Sequence, residues 1–212
     1  MDLLIDKNDL HACRMLEAEA PTPSEGEALL TVEHFGLTSN NITYAQFGQA
    51  MSYWSFFPAE EGWGRMPVWG FAEVAESRAP GLEEGTRLYG YLPPSTELLV
   101  RPAHVSERGF VDASPHRADL PAAYNGYTAT AADPVYDAAQ EDRQMLLRPL
   151  FFTSWLIDDL LGETDAFGSE VVVVSSASSR TASGLAYLLS LRGGLQVLGL
   201  TSQRSVPFTE GL

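Results

Sequence analysis

The chain has 212 residues, 45% of them apolar and 19% charged, which is enough apolar material for one domain and part of a second and excludes global disorder. Acidic side chains outnumber basic ones by 28 to 13, for a formal net charge of −15. Phosphate neutralisation needs clustered Lys and Arg, so the balance excludes nucleic acid and argues equally against an anionic membrane surface.

Cys13 is the single cysteine, so neither an intrachain disulfide nor a cysteine-rich zinc site is available. Met1–Leu10 carries Asp2, Asp6, Lys7 and Asp9, unlike the basic start and apolar run of a secretory signal. The most apolar stretch, Met145–Leu161, is interrupted by Arg148, Asp158 and Asp159, so no membrane-spanning helix is expected. A cytoplasmic protein is expected. Lys7 is the sole lysine, which disfavours Schiff-base chemistry and a Tyr-x-x-x-Lys pair.

Residues 1–112 alternate short β-prone runs with turn signals. Ala28–Phe35, Val68–Ala75, Arg87–Leu92 and Leu98–Val100 read as strands, separated by Ser24-Glu25-Gly26, Ala79-Pro80-Gly81 and Pro93-Pro94-Ser95. Such punctuation predicts a small barrel or sandwich. Residues 113–165 read as a helical connection. A helix is expected over Leu120–Ala132, and another from Pro149 at its first turn to Leu161, with Gly162 as its C-cap. In residues 166–212, Val171–Val174 reads as a strand buried on both faces. A small-residue turn, Ser175–Ser179, follows. Thr181–Leu191 reads as a helix ended by Gly193-Gly194, and Leu195–Leu200 as a second buried strand. Strand, turn, helix and strand within so short a stretch make a βαβ unit. Two parallel strands cannot stand alone, so either the chain is part of a longer one or another chain completes the sheet. The exposed edge makes a homo-oligomer an expectation.

A dinucleotide fingerprint, G-x-G-x-x-G, needs its glycines for a tight turn, close approach to pyrophosphate and helix–sheet packing. Counted from the strand, those positions hold Ser176, Ser178 and Thr181. Hydroxyls of Ser176, Ser178, Ser179 and Thr181, with Arg180 and the amides of a helix N-terminus, still suit an anion. The second strand ends in Leu200-Thr201-Ser202-Gln203-Arg204, with no acid to grip a ribose 2′-hydroxyl. Arg204, with Thr201 and Ser202, suits a 2′-phosphate instead, which favours NADP over NAD. The other reading of these serines and threonines is ordinary helix capping.

Two blocks carry a family resemblance. Val32–Gly48, including Gly36-Leu37-Thr38-Ser39-Asn40-Asn41, is one. Pro67–Ser77 followed by Gly81–Gly90 is the other. In order and spacing they resemble the medium-chain dehydrogenase/reductase superfamily, in its zinc-free, quinone oxidoreductase-like form, and most closely a bacterial branch known only as a domain of unknown function. The resemblance implies an α/β fold: a GroES-like β-barrel domain, then the first β-α-β of a Rossmann-type domain, the chain being the N-terminal part only. It also implies an NADP-dependent oxidoreductase acting on a small-molecule carbonyl, quinone or enoyl group, with hydride passing in the cleft between domains. Zinc relatives take a Cys and a His from the regions that here hold Thr38-Ser39-Asn40 and Trp69-Gly70-Phe71, so no zinc is expected. His11, His34, His104 and His116 are scattered and read as surface or strand residues.

Asn40, Asn41 and Tyr44 occupy the segment that positions substrate in the family. Tyr44 reads either as a proton donor to a developing enolate or as a helix residue packing under the barrel. The run Met51, Tyr53, Trp54, Phe56 and Phe57 reads as a pocket lining or as core. The competing function is a non-catalytic descendant that binds a ligand or partner, the lost glycines having ended tight dinucleotide binding. A serine hydrolase is not supported, since G-x-S-x-G is missing.

Overall fold

The computed structural model describes residues 1–17 and 19–211. The chain divides into two compact units, Met1–Met145 and Leu146–Leu212.

In the first unit, β1 (Asp2–Asp6) pairs with β2 (Cys13–Leu16), which leaves the Cys13 thiol exposed. Next come β3 (Ala28–Gly36), helix α1 (Ser39–Gln46) and the short β4 (Trp63–Gly64), which adds to β1. The remaining strands are β5 (Val68–Ser77), β6 (Arg87–Leu92), β7 (Glu97–Val100), β8 (Pro102–Ser106), β9 (Gly109–Asp112) and β10 (Gly126–Ala129). They form a seven-stranded antiparallel sheet in the order β7-β3-β5-β6-β10-β9-β8. Ala28, Leu30, Val68, Ala72, Val74, Tyr91, Leu98 and Val100 alternate inward and make one core with Phe56, Phe57, Phe110 and Tyr127. Each large apolar side chain so buried stabilises by about 1.5–3 kcal/mol.

Leu120–Ala132 is not a helix. It holds a 3-10 turn at Ala122–Tyr124, strand β10, and a second 3-10 turn at Thr130–Ala132. Pairing decides against the helix: Thr128 and Ala129 face Tyr89 and Leu88 of β6. Tyr127 is buried and donates its hydroxyl to the Tyr91 carbonyl at 2.7 Å. Gly109 must be glycine, because its φ of +121° is left-handed and a Cβ would overlap the Tyr127 carbonyl. Beside this hairpin an ion pair is fully buried, Arg117 Nε to Asp112 Oδ2 at 3.1 Å, with the guanidinium 4.8 Å from the Phe57 ring centre.

Helix α2, Glu141–Glu163, starts two turns earlier than expected and carries Pro149 inside it. Its start is anchored. Glu141 accepts from Arg87 Nη1 at 2.7 Å and from the Tyr136 hydroxyl at 2.5 Å, and lies 3.0 Å from His34 Nε2. Arg87 also reaches Glu33 at 2.6 Å. Glu141 and Asp142 complement the helix dipole there, and this anchoring outweighs the signal of Pro149. Gly162 lies within the helix rather than capping it, beside the Arg192 guanidinium.

The second unit is the expected βαβ: β11 (Val171–Ser175), α3 (Arg180–Arg192) and β12 (Gln196–Leu200), with the strands parallel, followed by α4 (Val206–Thr209). Val174, Ala182, Leu185 and Leu189 form its core. Gly193, at φ +70°, closes α3. The strands are not buried on both faces. Val171, Val173, Leu198 and Leu200 are exposed, because the helical residues of this unit cover only the side that Val172 and Val174 face.

Candidate functional site

Two groups of side chains stand out, one in each unit. In the first, Thr38 caps α1, accepting from the Asn40 amide at 3.3 Å. Asn41 is buried and committed: Oδ1 accepts from the Thr38 amide at 2.7 Å, and Nδ2 donates to the Pro67 carbonyl at 2.9 Å. Its amide therefore holds α1 against the entry to β5. Asn40 is exposed. Tyr44 is half-buried, its ring centre 4.7 Å from that of Tyr53 and 5.8 Å from that of Tyr91. Burial pushes the Tyr44 phenol up, so at neutral pH it is a proton-bearing donor.

The aromatic run after α1 is core: Tyr53, Trp54, Phe56 and Phe57 are buried and only Met51 is exposed. Sequence spacing gave no sign of what joins it. Tyr91 of β6 makes tilted ring contacts with Trp69 of β5, at 5.0 Å, and with Tyr124, at 4.7 Å. Burial, first of all, raises the phenols of Tyr91 and Tyr124. The signal available in the sequence was only the aromatic content of β5 and β6, and the pairing Trp69↔Tyr91 needs the sheet register.

In the second unit, β11 runs through a tight turn into α3. Ser176 sits at φ +50°, the left-handed conformation for which the fingerprint uses its first glycine. Ser179 is the N-cap of α3, its hydroxyl accepting from the Ala182 amide at 3.2 Å. The Thr201 hydroxyl donates to that of Ser178 at 3.3 Å, and the Ala177 amide donates to the Leu200 carbonyl at 3.0 Å. Gly199 admits this approach: a Cβ there would stand 2.9 Å from that of Ala177. Thr181 is half-buried, while Arg180, Ser202 and Arg204 are exposed. Ser178 and Thr201 are thus brought together across the strand ends, and Ser202 and Arg204 lie in the turn that follows β12. The turn therefore fits a dinucleotide phosphate in backbone shape and in hydroxyl and arginine donors, though Ser178 places a side chain where the fingerprint has none.

Among the described residues no three His, Cys, Asp or Glu side chains are grouped to hold a metal ion. Among the described residues no helix is long and apolar enough to cross a membrane.

A model of the family described as "Protein of unknown function (DUF2855)" matches residues 35–212. The chain belongs to that family. No protein of curated function matches the sequence significantly. Solved structures do match the fold. Human synaptic vesicle membrane protein VAT-1 homolog-like protein aligns at TM-score 0.53 with 18% identity, over 99% of this chain and 58% of that one. CurA from Vibrio vulnificus in complex with NADPH aligns at 0.55 with 14% identity, over 97% and 52%. JamJ enoyl reductase in its apo form aligns at 0.53 with 13% identity, over 100% and 58%. These likenesses show the mixed α/β fold, a curled antiparallel sheet followed by a parallel βαβ, as the DUF2855 chain was expected to have. The chain spans only about half the length of the structures it matches.

Proposed function

We propose that this DUF2855 chain belongs to an NADP-dependent oxidoreductase of the zinc-free kind, acting on a small-molecule carbonyl, quinone or enoyl group in the cytoplasm. The observation that carries the reading is the turn after β11. It keeps the left-handed residue and strand–turn–helix course of a dinucleotide loop after all three glycines are gone. The fold shared with CurA, a protein solved in complex with NADPH, supports the same reading. Residues 1–112 would form the substrate-side domain, 113–165 the connection and 166–212 the start of the nucleotide domain.

In this reading Ser176, Ser178, Ser179 and Thr181, with Arg180 and the first amides of α3, hold the pyrophosphate. Thr201, Ser202 and Arg204 hold the 2′-phosphate, where the guanidinium offers a planar fork. NADPH, when bound, supplies the hydride. Tyr44 holds a proton at its phenol oxygen for a developing enolate or alkoxide, and Asn40 orients the substrate oxygen. Asn41 acts through position, fixing α1 by way of Pro67. The pairs Thr38-Ser39 and Trp69-Gly70 offer no zinc ligands, so the chemistry is assigned without zinc.

Calorimetric titration with NADPH and NADH tests the proposal. NADPH is expected to bind more tightly, and Arg204→Ala should weaken NADPH alone by about 1.5–3 kcal/mol. Equal binding of both cofactors before and after the substitution would remove the 2′-phosphate assignment. Binding of neither by a chain that carries a complete nucleotide sheet favours the second reading, a non-catalytic ligand- or partner-binding descendant. The replacement of every fingerprint glycine is the observation on its side.

A further inference from the structure

We propose that this chain pairs with a second copy of itself through the outward face of α2, the two helices lying antiparallel about a two-fold axis level with the peptide between Thr153 and Ser154. The assembly needs neither a cofactor nor a catalytic step, and so stands apart from the reductase reading.

Within the second unit α2 has two unlike sides. Ser154 is fully buried, Leu161 packs against the core of Val174, Leu185 and Leu189, and Asp158 meets Arg192 of α3 at 2.7 Å. That side is taken up by α3. The helical repeat turns Leu147, Phe151, Phe152, Trp155, Leu156 and Leu160 away from it. Each is between 43% and 50% exposed, and the rings of Phe152 and Trp155 stack with their centres 6.2 Å apart. With about 150–250 Å² to an aromatic side chain, six such residues leave on the order of 500 Å² of apolar surface in one patch. That is at the upper end of what a monomer leaves in water, where such patches are often functional. It also supplies most of the ~800 Å² that each side of a stable interface contributes.

The order of residues along the helix selects the partner. Counted outward from the peptide between Thr153 and Ser154, Phe152 answers Trp155, Phe151 answers Leu156, Arg148 answers Asp159, and Leu147 answers Leu160. A two-fold interface sets residue i of one copy against j of the other, and j against i. Two antiparallel copies of α2 therefore place ring on ring at the centre, Phe151 on Leu156 beside it, and an Arg148–Asp159 pair at each end. Asp159 is exposed and Arg148 half-buried. Run parallel and in register, the same helices would set arginine on arginine and aspartate on aspartate, and like charges so placed are costly. A partner of another sequence would meet the rings but has no reason to mirror the charges.

Sedimentation velocity of the full chain between about 1 and 100 µM tests the pairing, and a dimer is expected within that range. Arg148→Asp and Asp159→Arg should each weaken it about a hundredfold, because each creates two like-charge contacts across the axis. An equimolar mixture of the two variants should regain the dimer, since every charged contact is then between opposite signs. Trp155→Glu sets a charge among the rings and should give a monomer with an unchanged helical circular dichroism signal; it serves where Arg148→Asp lowers the melting temperature. A parent chain that stays monomeric throughout the range overturns the proposal. So does a dimer indifferent to all three substitutions, which would assign the association to the open edges of β11 and β12. Two folded variants whose mixture stays monomeric would show that the charges do not face each other, and would overturn it as well. Loss of the dimer in a longer chain with a complete nucleotide sheet would give the face to that added segment instead.

Discussion

The hydroxyl of Ser154, in the middle of α2, donates to the main-chain carbonyl of Thr181, in the first turn of α3, at 2.7 Å. Ser154 is fully buried, and Gly184, one turn further along α3, lies directly over it: a Cβ at Gly184 would stand 2.9 Å from the Ser154 Oγ. A small residue on each helix lets the two approach closely and lets the bond form. Because Thr181 opens α3, the bond also holds the helix end that faces the candidate phosphate turn.

Ser154→Ala is therefore expected to cost about 1 kcal/mol, the net value of a buried hydrogen bond. Gly184→Leu should cost more, since a branched side chain would force the helices apart. Urea unfolding followed by circular dichroism measures both. Should Ser154→Ala prove neutral, the contact does not hold the helices.

Ser176→Gly should stabilise the chain by about 0.5–1 kcal/mol. A non-glycine residue in the left-handed region costs about 1–2 kcal/mol, and the added freedom of glycine in the unfolded chain takes back part of that. Denaturant midpoints would show it. A clear loss of stability would instead mean that the Ser176 side chain itself holds the turn.

The buried pair of Arg117 and Asp112 stands on three further contacts: Asp112 Oδ1 accepts from the Arg101 amide at 3.0 Å, the Ser114 amide at 2.9 Å and the Ser114 hydroxyl at 2.6 Å. Arg117→Met keeps most of the volume over Phe57 yet strands a buried carboxylate, so a loss of about 3–5 kcal/mol is expected. A melting temperature near that of the parent would contradict this.

Two pH limits follow from the shifted groups. Arg87 first, then Tyr136, holds the Glu141 carboxyl below its ordinary value of 4.5. A depressed carboxyl stabilises the fold above the unfolded value and loses that contribution as pH falls through the folded one. Stability should thus decline below about pH 4.5, and less steeply in Glu141→Gln. At the other end, burial pushes the Tyr127 phenol up to about 12. A raised phenol gives stability that is complete below about pH 10 and is lost as pH climbs through the folded value. Absorbance at the tyrosinate band and circular dichroism should therefore change together in alkali. Tyrosinate formation well before unfolding would show that these phenols reach solvent.

Much of this arrangement was legible in the sequence where one element dominates its own pattern. Arg87–Leu92 and the βαβ after Glu170 were readable because apolar runs, glycine stops and small-residue turns agree there. Leu120–Ala132 was not, since alanines favour a helix locally while Thr128 and Ala129 pair with Tyr89 and Leu88 of β6 and the Ala129 amide donates to the Arg108 carbonyl, all distant partners. The start of α2 was hidden for a similar reason: Pro149 is a local signal, and the Arg87, Tyr136 and His34 contacts of Glu141 are tertiary. At the candidate sites the residue types of the phosphate turn could be counted along the chain. The meeting of Trp69, Tyr91 and Tyr124 depends on register and could not.

The exposed Cys13 lies on β2, an edge strand of the three-stranded sheet, and no other cysteine competes with it. A maleimide dye will therefore attach at one known address in the native sequence without prior mutagenesis. Placed beside the Arg14 side chain that stacks on Trp63, the dye would report on the first unit alone. Paired with an acceptor on a labelled cofactor, it gives a spectroscopic ruler for ligand arrival in the unaltered protein.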